Sequence, residues 1–293
     1  MGKRTKDVSR RDFVRQAGMG AAALAVASSS PLRSLAEAEV KNGMTYTTLG
    51  RTGLKISEVI LGAGPMNPGR ANLLRAALSQ GVNYIDTASG YQNGQSETAV
   101  GQVVEAMGNR DKLVIASKAS AFNHRKLVGA QASQVEKALR ENLEGSLERL
   151  QTDYVDIYFC PHGADAPEQV AFPALQEAMD KLKEEGKIRF TAISTHTRYD
   201  EVSQTAVDSG YYDVIMPVIS PTTLIADLGK AAVDSYSSQP EPPEGAKRRR
   251  RRRGRPILQM REIIRAAQKK NLGLVAMKAA NDGFNPKAIH DLA

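Results

Sequence analysis

The chain has 293 residues, 41% of them hydrophobic and 25% charged, enough for one large domain with a substantial core and unlike a disordered composition. Its net charge of +8 is local: residues 1–38 carry +4 and residues 237–256 carry +6, which leaves the rest at −2, so a basic face for nucleic acid is not supported and no nucleic-acid partner is expected. No apolar run reaches the roughly 18 residues that a membrane-spanning helix needs. The single cysteine, Cys160, can form neither an internal disulfide nor a cysteine metal site. It sits in an apolar run and reads as a small buried hydrophobe; no metal is expected.

Residues 1–38 have the plan of an export signal. Ser9-Arg10-Arg11-Asp12-Phe13-Val14 is followed by an Ala- and Gly-rich apolar stretch at 17–27, then Ser28-Ser29-Ser30-Pro31, then a small-residue site, Ala36-Glu37-Ala38. Basic, apolar and small-residue regions in that order define a secretory signal, and the paired arginines resemble the twin-arginine type. The expectation is cleavage after Ala38, delivery by the twin-arginine translocase, and a periplasmic or extracytoplasmic location.

From residue 44 the chain alternates short apolar runs with longer helical patterns. Residues 44–49 and 54–60 read as a hairpin around Gly50-Arg51-Thr52-Gly53. Strands follow at 59–61, 82–85, 113–117, 154–160, 188–193, 214–218 and 272–277. Helices are predicted at 71–79, 96–107, 135–150, 172–185, 200–209 and 258–269. In the third helix Val135, Leu139, Leu143, Leu147 and Leu150 share one face. Alternation of this kind builds βαβ units around a parallel sheet covered on both sides. Seven parallel strands after a hairpin approach the (β/α)8 TIM-barrel type, which closes with eight. The expected domain is therefore a barrel over residues 44–293 that lacks its last strand and helix.

Residues 235–256 break the pattern. Three prolines between Gln239 and Gly245 precede Lys247 and six arginines, 248–253, a content that reads as a solvated basic insertion rather than a packed element. It is either an electrostatic handle for a polyanion of unknown identity or an insertion with no partner.

The chemistry concentrates at strand ends. Asp86 closes the 82–85 strand and Tyr91 lies in the following loop, with Ser96 placed to cap the next helix and Glu97 in its first turn. Lys118 closes the next strand and His162 follows the one after. In a βα barrel these positions share the C-terminal rim, where catalytic groups collect. An ammonium beside a phenol favours the phenolate and lowers its pKa. Lys118 would so tune Tyr91, Asp86 would keep Lys118 charged, Tyr91 would donate a proton to a carbonyl oxygen, and His162 would orient that oxygen.

The stretch from Asp86 to Glu97 resembles the signature of the aldo-keto reductase family: an aspartate, a tyrosine five residues on, then Gly, Ser and Glu. Thr48-Leu49-Gly50-Arg51-Thr52-Gly53-Leu54-Lys55-Ile56-Ser57 is similar to that family's opening hairpin. Leu150-Gln151-Thr152-Asp153-Tyr154-Val155-Asp156-Ile157 with His162 is similar to its fourth strand, and Gly186-Lys187-Ile188-Arg189 with Ser194 to the strand that leads to the nicotinamide carboxamide. The resemblance covers about 45–220 and 257–284. It implies an eight-stranded barrel that uses NADPH or NADH to reduce a small carbonyl substrate. It assigns Tyr91 as the acid, Asp86 and Lys118 as its partners, His162 as the orienting residue, Ser194 as a contact to the nicotinamide carboxamide, and Lys278 to the pyrophosphate side. Ser194-Thr195-His196 and Ala276-Met277-Lys278 look closest to a branch with twin-arginine signals, some members of which carry C-terminal iron–sulfur cysteines absent from this sequence. That export route moves folded proteins, which suits an enzyme whose cofactor is made in the cytoplasm.

The sequence departs from the family at Thr195, where an Asn is common, and at Met216 and Ile219, where a Gln and a stacking aromatic are common. The loop that grips the adenosine phosphate is expected to be missing with the last helix. These departures keep two alternatives open: a catalytically silent barrel that binds a small molecule or protein, and an adaptor acting through the basic run.

Overall fold

The computed structural model describes residues 39–120, 124–219 and 258–277; the expectations for the N-terminal signal, the basic insertion and Lys278 lie outside the described residues. A small antiparallel sheet comes first, with β1 (Glu39–Lys41), β2 (Met44–Thr48) and β3 (Lys55–Ser57) in that order. The sequence suggests β2 and β3; β1, exposed along its length, carries no apolar alternation and is not legible there. Seven strands follow: β4 (Leu61–Gly62), β5 (Tyr84–Asp86), β6 (Val114–Lys118), β7 (Val155–Ala164), β8 (Ile188–Thr195), β9 (Val214–Met216) and β10 (Gly273–Leu274). Their spatial order is their chain order, and every neighbouring pair is parallel. This is the α/β, TIM-barrel-type arrangement, with the helices between strands.

Those helices are α1 (Ala71–Ser79), α2 (Gln95–Met107), α3 (Ala132–Leu150), α4 (Pro173–Glu184), α5 (Tyr199–Ser209) and α6 (Leu258–Lys269). The stripe anticipated on α3 is buried throughout, each side chain contributing about 1.5–3 kcal/mol of burial free energy. Outward-facing strand residues Ile85, Ile115, Tyr158 and Cys160 pack with α1 to α4 in one core. Ile193 and Ile215 pack with α5 and α6 in a second. The inner face forms a third from Tyr84, Val114, Ala116, Ile157, Phe159, Ala192, Val214 and Met216. Since side chains alternate along a strand, Asp86 and Lys118, two residues beyond Tyr84 and Ala116, belong to that inner face.

The β2–β3 hairpin sits at the N-terminal end of these strands. Leu49 and Ile56 join the inner core. Arg51 reaches the segment leading into β9: its guanidinium donates to the carbonyls of Gly210 (2.9 Å) and Tyr212 (2.6 Å) and to Asp213 Oδ1 (3.1 Å). Asp156, buried in β7, accepts from Ile115 N (2.9 Å) and pairs with Arg110 (2.9 Å) and Arg189 (2.6 Å). The opposite, C-terminal ends of the strands are left for chemistry.

Candidate active site at the C-terminal strand ends

Among the described residues Lys118 is the largest fully buried charged side chain, 1% exposed. Its ammonium donates to Asp86 Oδ1 in a very short contact and to Thr87 O at 2.8 Å. It also lies 5.1 Å from the centre of the Tyr91 ring and 5.4 Å from that of Phe159, where the negative faces of the rings favour a cation. The Lys118 backbone is pinned as well, its carbonyl accepting from Ser89 N, Ser89 Oγ and Ser120 N (3.2, 3.1 and 2.8 Å). Asp86 Oδ2 is buried and accepts no hydrogen bond among the described residues.

Burial pushes the Lys118 pKa down and the Asp86 pKa up, each partly opposed by the attraction of the other. Desolvation thus outweighs mutual attraction on both sides of the pair. Tyr91 is pushed up to about 12, first by burial and then by the Asp86 charge. The sequence argument anticipates the reverse. The reason for the difference is first burial, which disfavours the phenolate, and then the Asp86 carboxylate, whose charge raises the Tyr91 pKa further.

The loop carrying Tyr91 is locked by bonds that the sequence does not reveal. Ser96 does not cap α2; Gly94 occupies that place. The Ser96 hydroxyl instead donates to Ala63 O at 2.6 Å and is met by Thr87 Oγ1 at 2.8 Å, which ties the β5 loop to the end of β4. Gln92, Asn93 and Gly94 are all left-handed (φ 50°, 54° and 86°), a costly run that turns the chain from the rim into α2. At Gly94 a Cβ would lie 2.8 Å from Arg149 Cδ, so Arg149 would have to shift, and the left-handed backbone disfavours any side chain there. Arg149 donates to the fully buried Glu97 (2.8 Å), which also accepts from Ser117 Oγ (2.5 Å). Glu97, read from sequence as a first-turn charge, therefore joins α2, the end of α3 and the residue before Lys118.

His162 lies inside β7, with a register shift on either side of it and Ser194 of β8 as its paired residue. Such bulges re-aim side chains near sites. Its Nδ1 is 2.7 Å from Ser194 Oγ, which also accepts from Gly163 N at 3.2 Å. His196, which the sequence argument gives no role, packs edge-to-face on the His162 ring at 5.7 Å. Thr195 is buried, its hydroxyl 2.8 Å from the carbonyls of Ala164 and Thr197. Met216 closes the inner core at the end of β9.

Of the expected residues, Asp86, Lys118 and Tyr91 form one contact set, and His162 and Ser194 form a second on the next two strands. Phe159 lies against Lys118 and precedes His162 by three residues in β7. Cys160 is buried and its thiol pKa is raised by burial, as fits a core residue. A surface cavity of about 590 Å³ lined by Glu148, Gln151, Asp153 and Glu185 lies before the starts of β7 and β8, away from these groups, and offers no comparable chemistry.

A consecutive parallel α/β sheet with an ionisable triad and a histidine–serine pair at the C-terminal ends of successive strands defines a barrel-type enzyme scaffold. The sequence profile of the Aldo/keto reductase family matches residues 59–224, more than half of the chain, and the chain belongs to that family. It is 36% identical over 160 residues to the aldo-keto reductase YhdN of Bacillus subtilis, covering 52% of this chain and 47% of that one; the chain spans about half the length of that relative. A putative aldo-keto reductase from Pseudomonas aeruginosa superposes with a TM-score of 0.57 at 22% identity, over 84% of this chain and 81% of that one. An aldo/keto reductase from Klebsiella pneumoniae, solved in complex with NADP and acetate, superposes with a TM-score of 0.50 at 25% identity, over 82% and 68%.

Proposed function

We propose that this barrel is an oxidoreductase that reduces an aldehyde or ketone with NADPH, or NADH, and that Tyr91 is its general acid. The observation that carries the reading is the buried Asp86–Lys118 pair beneath the Tyr91 ring, a costly arrangement that a purely structural role would not require. The Klebsiella relative solved with NADP supports a nicotinamide cofactor.

The nicotinamide end of such a cofactor fits these residues: Asp86 Oδ2 is a buried acceptor with no donor among the described residues, and a hydroxyl on the bound group would complete it. Ser194 and Lys278 are the residues proposed to hold the cofactor. When bound, it supplies a hydride to the carbonyl carbon. Tyr91 remains protonated at neutral pH with a pKa of about 12, and an alkoxide is a stronger base than that phenolate, so proton transfer to the developing alkoxide runs downhill. Lys118 stabilises the phenolate left behind, Asp86 keeps Lys118 in place, and His162 orients the carbonyl oxygen.

The test is NADPH consumption with a simple aldehyde by the purified chain and by Tyr91→Phe. Turnover by the first and none by the second is expected; no turnover and no change in cofactor fluorescence on mixing would overturn the reading. One observation favours a second reading, a silent barrel that binds a small molecule or partner: the buried Met216 offers no amide to a nicotinamide. An NADPH titration separates the two. We further propose export by the twin-arginine translocase, checked by N-terminal sequencing of secreted protein, where a start at Glu39 is expected and a start at Met1 counts against it.

A further inference from the structure

We propose that Ser194 sets the tautomer of His162, holding Nδ1 as an acceptor and so placing the imidazole proton on Nε2. The inference follows from counting protons in a closed space. Ser194 is fully buried. Its hydroxyl has one proton to give and two lone pairs to offer. Gly163 N–H takes one lone pair at 3.2 Å, and His162 Nδ1 lies at 2.7 Å. Among the described residues no other acceptor is within reach of Ser194 Oγ. If Nδ1 carried the proton, Ser194 would accept twice and bury its own O–H without a partner, the more expensive of the two arrangements. If Ser194 donates to Nδ1, every group in the set is satisfied. The preference is roughly tenfold or more, against the mixture that a free imidazole shows in water.

The register shifts on both sides of His162 bring this about, because they pair His162 directly with Ser194 and turn Gly163 N–H onto the same oxygen. A neutral imidazole with Nε2–H offers a donor, which a carbonyl oxygen needs, whereas the other tautomer offers a lone pair that repels it. Ser194 is then a positioning residue, acting through His162. This catalytic consequence rests on the reductase reading above; the tautomer itself does not.

Long-range proton–nitrogen NMR of the full chain labelled with 15N-histidine, without cofactor and at about pH 8, above the ordinary histidine titration, reads the tautomer directly. His162→Gln assigns the signals. Wild type and Ser194→Thr, which keeps the hydroxyl, are expected to show almost pure Nε2–H, and Ser194→Ala a several-fold rise in the Nδ1–H form with His196 signals unmoved. A mixed or Nδ1–H tautomer in wild type overturns the proposal, whether or not the alanine variant folds, and so does an unchanged tautomer in a folded Ser194→Ala. Absence of turnover alongside a pure Nε2–H signal would refute the reductase reading while leaving this assignment standing.

Discussion

Cutting the Asp86–Lys118 pair from either side should destabilise the protein with opposite pH slopes. Lys118→Met leaves a carboxylate that is 13% exposed, with one oxygen stripped of its donor and the other without one among the described residues. Breaking a buried pair in this way costs about 3–5 kcal/mol, and the partial exposure of Asp86 places the loss near 3. Asp86 can escape only by taking up a proton. Burial already raises its pKa above the ordinary value of 3.8, with Lys118 holding it down; without Lys118 it rises further. A carboxyl whose folded pKa exceeds its unfolded one keeps its stability below the unfolded value and loses it as pH climbs through the folded value. The penalty of Lys118→Met is therefore smallest near pH 4 and greatest above neutrality. Asp86→Leu strands the ammonium instead. Burial already depresses the Lys118 pKa below 10.5, and it falls further. Between the folded and unfolded values the unfolded chain binds the extra proton, so stability recovers as pH rises. The double variant removes both charges and should be within about 1 kcal/mol of wild type, or more stable, though inactive. Urea unfolding followed by circular dichroism at about pH 4.5, 7 and 9 reads all three. Equal slopes in the two single variants, or a double variant as unstable as their sum, would refute the reasoning.

Tyr91→Phe removes a hydroxyl that makes no hydrogen bond among the described residues, so melting should move little, within about 0.5 kcal/mol, while reduction falls about 10²–10⁴-fold; a large loss of stability would mean a structural role. With the Tyr91 pKa at about 12, reduction needs the phenol and should stay level across neutral pH, whereas alcohol oxidation needs the phenolate and should rise steadily from about pH 7 to pH 10, measured in the two directions with one substrate pair. Glu97→Gln weakens the bonds to Ser117 and Arg149 and should cost about 2 kcal/mol in denaturant unfolding, moderated because Arg149 can turn to water. Gly101→Ala places a methyl 2.6 Å from Arg149 O and 2.7 Å from Leu150 C; backbone cannot swing aside, so α2 and α3 must separate, at about 1–3 kcal/mol by thermal unfolding, despite alanine's better helix propensity.

The sheet was legible because its strands are buried on both faces and read as unbroken apolar runs, while α3 shows its stripe at every turn. Asp86 and Lys118 were legible for a related reason, since a charged residue closing an apolar strand is conspicuous, whereas Tyr91 was legible through its spacing from Asp86 in the family signature. What the sequence hides is pairing between distant residues. Nothing local in Ser96-Glu97 distinguishes a capped helix from a loop tied to Ala63 and Arg149, since both use the same residue types within the same first turn. The lowered tyrosine pKa anticipated from Lys118 failed likewise, because it counted one charge and neither the burial of the phenol nor the Asp86 carboxylate beside it. Arg149 carries a retrospective signal, as it falls beside the α3 stripe between Leu147 and Leu150, where a free surface arginine gains little.

The two sets at the rim solve different problems with the same device. Lys118 is held by atoms from two strands and a loop, so that its ammonium keeps one position although its charge is unfavourable there. The Ser194 hydroxyl meets His162 at Nδ1, so that the imidazole proton keeps one nitrogen although water would allow either. In both, the immediate partner removes an alternative state rather than adding strength. A buried ion pair contributes little net stability, and one neutral hydrogen bond contributes about 1 kcal/mol. The stability that permits this lies elsewhere, in the three apolar cores. Perturbing the inner core at Leu49 or Ile56, at the far end of the strands, should therefore lower the melting temperature without changing the His162 tautomer, whereas Ser194→Ala should change the tautomer and also cost about 1–3 kcal/mol, because it leaves the Gly163 N–H unpaired.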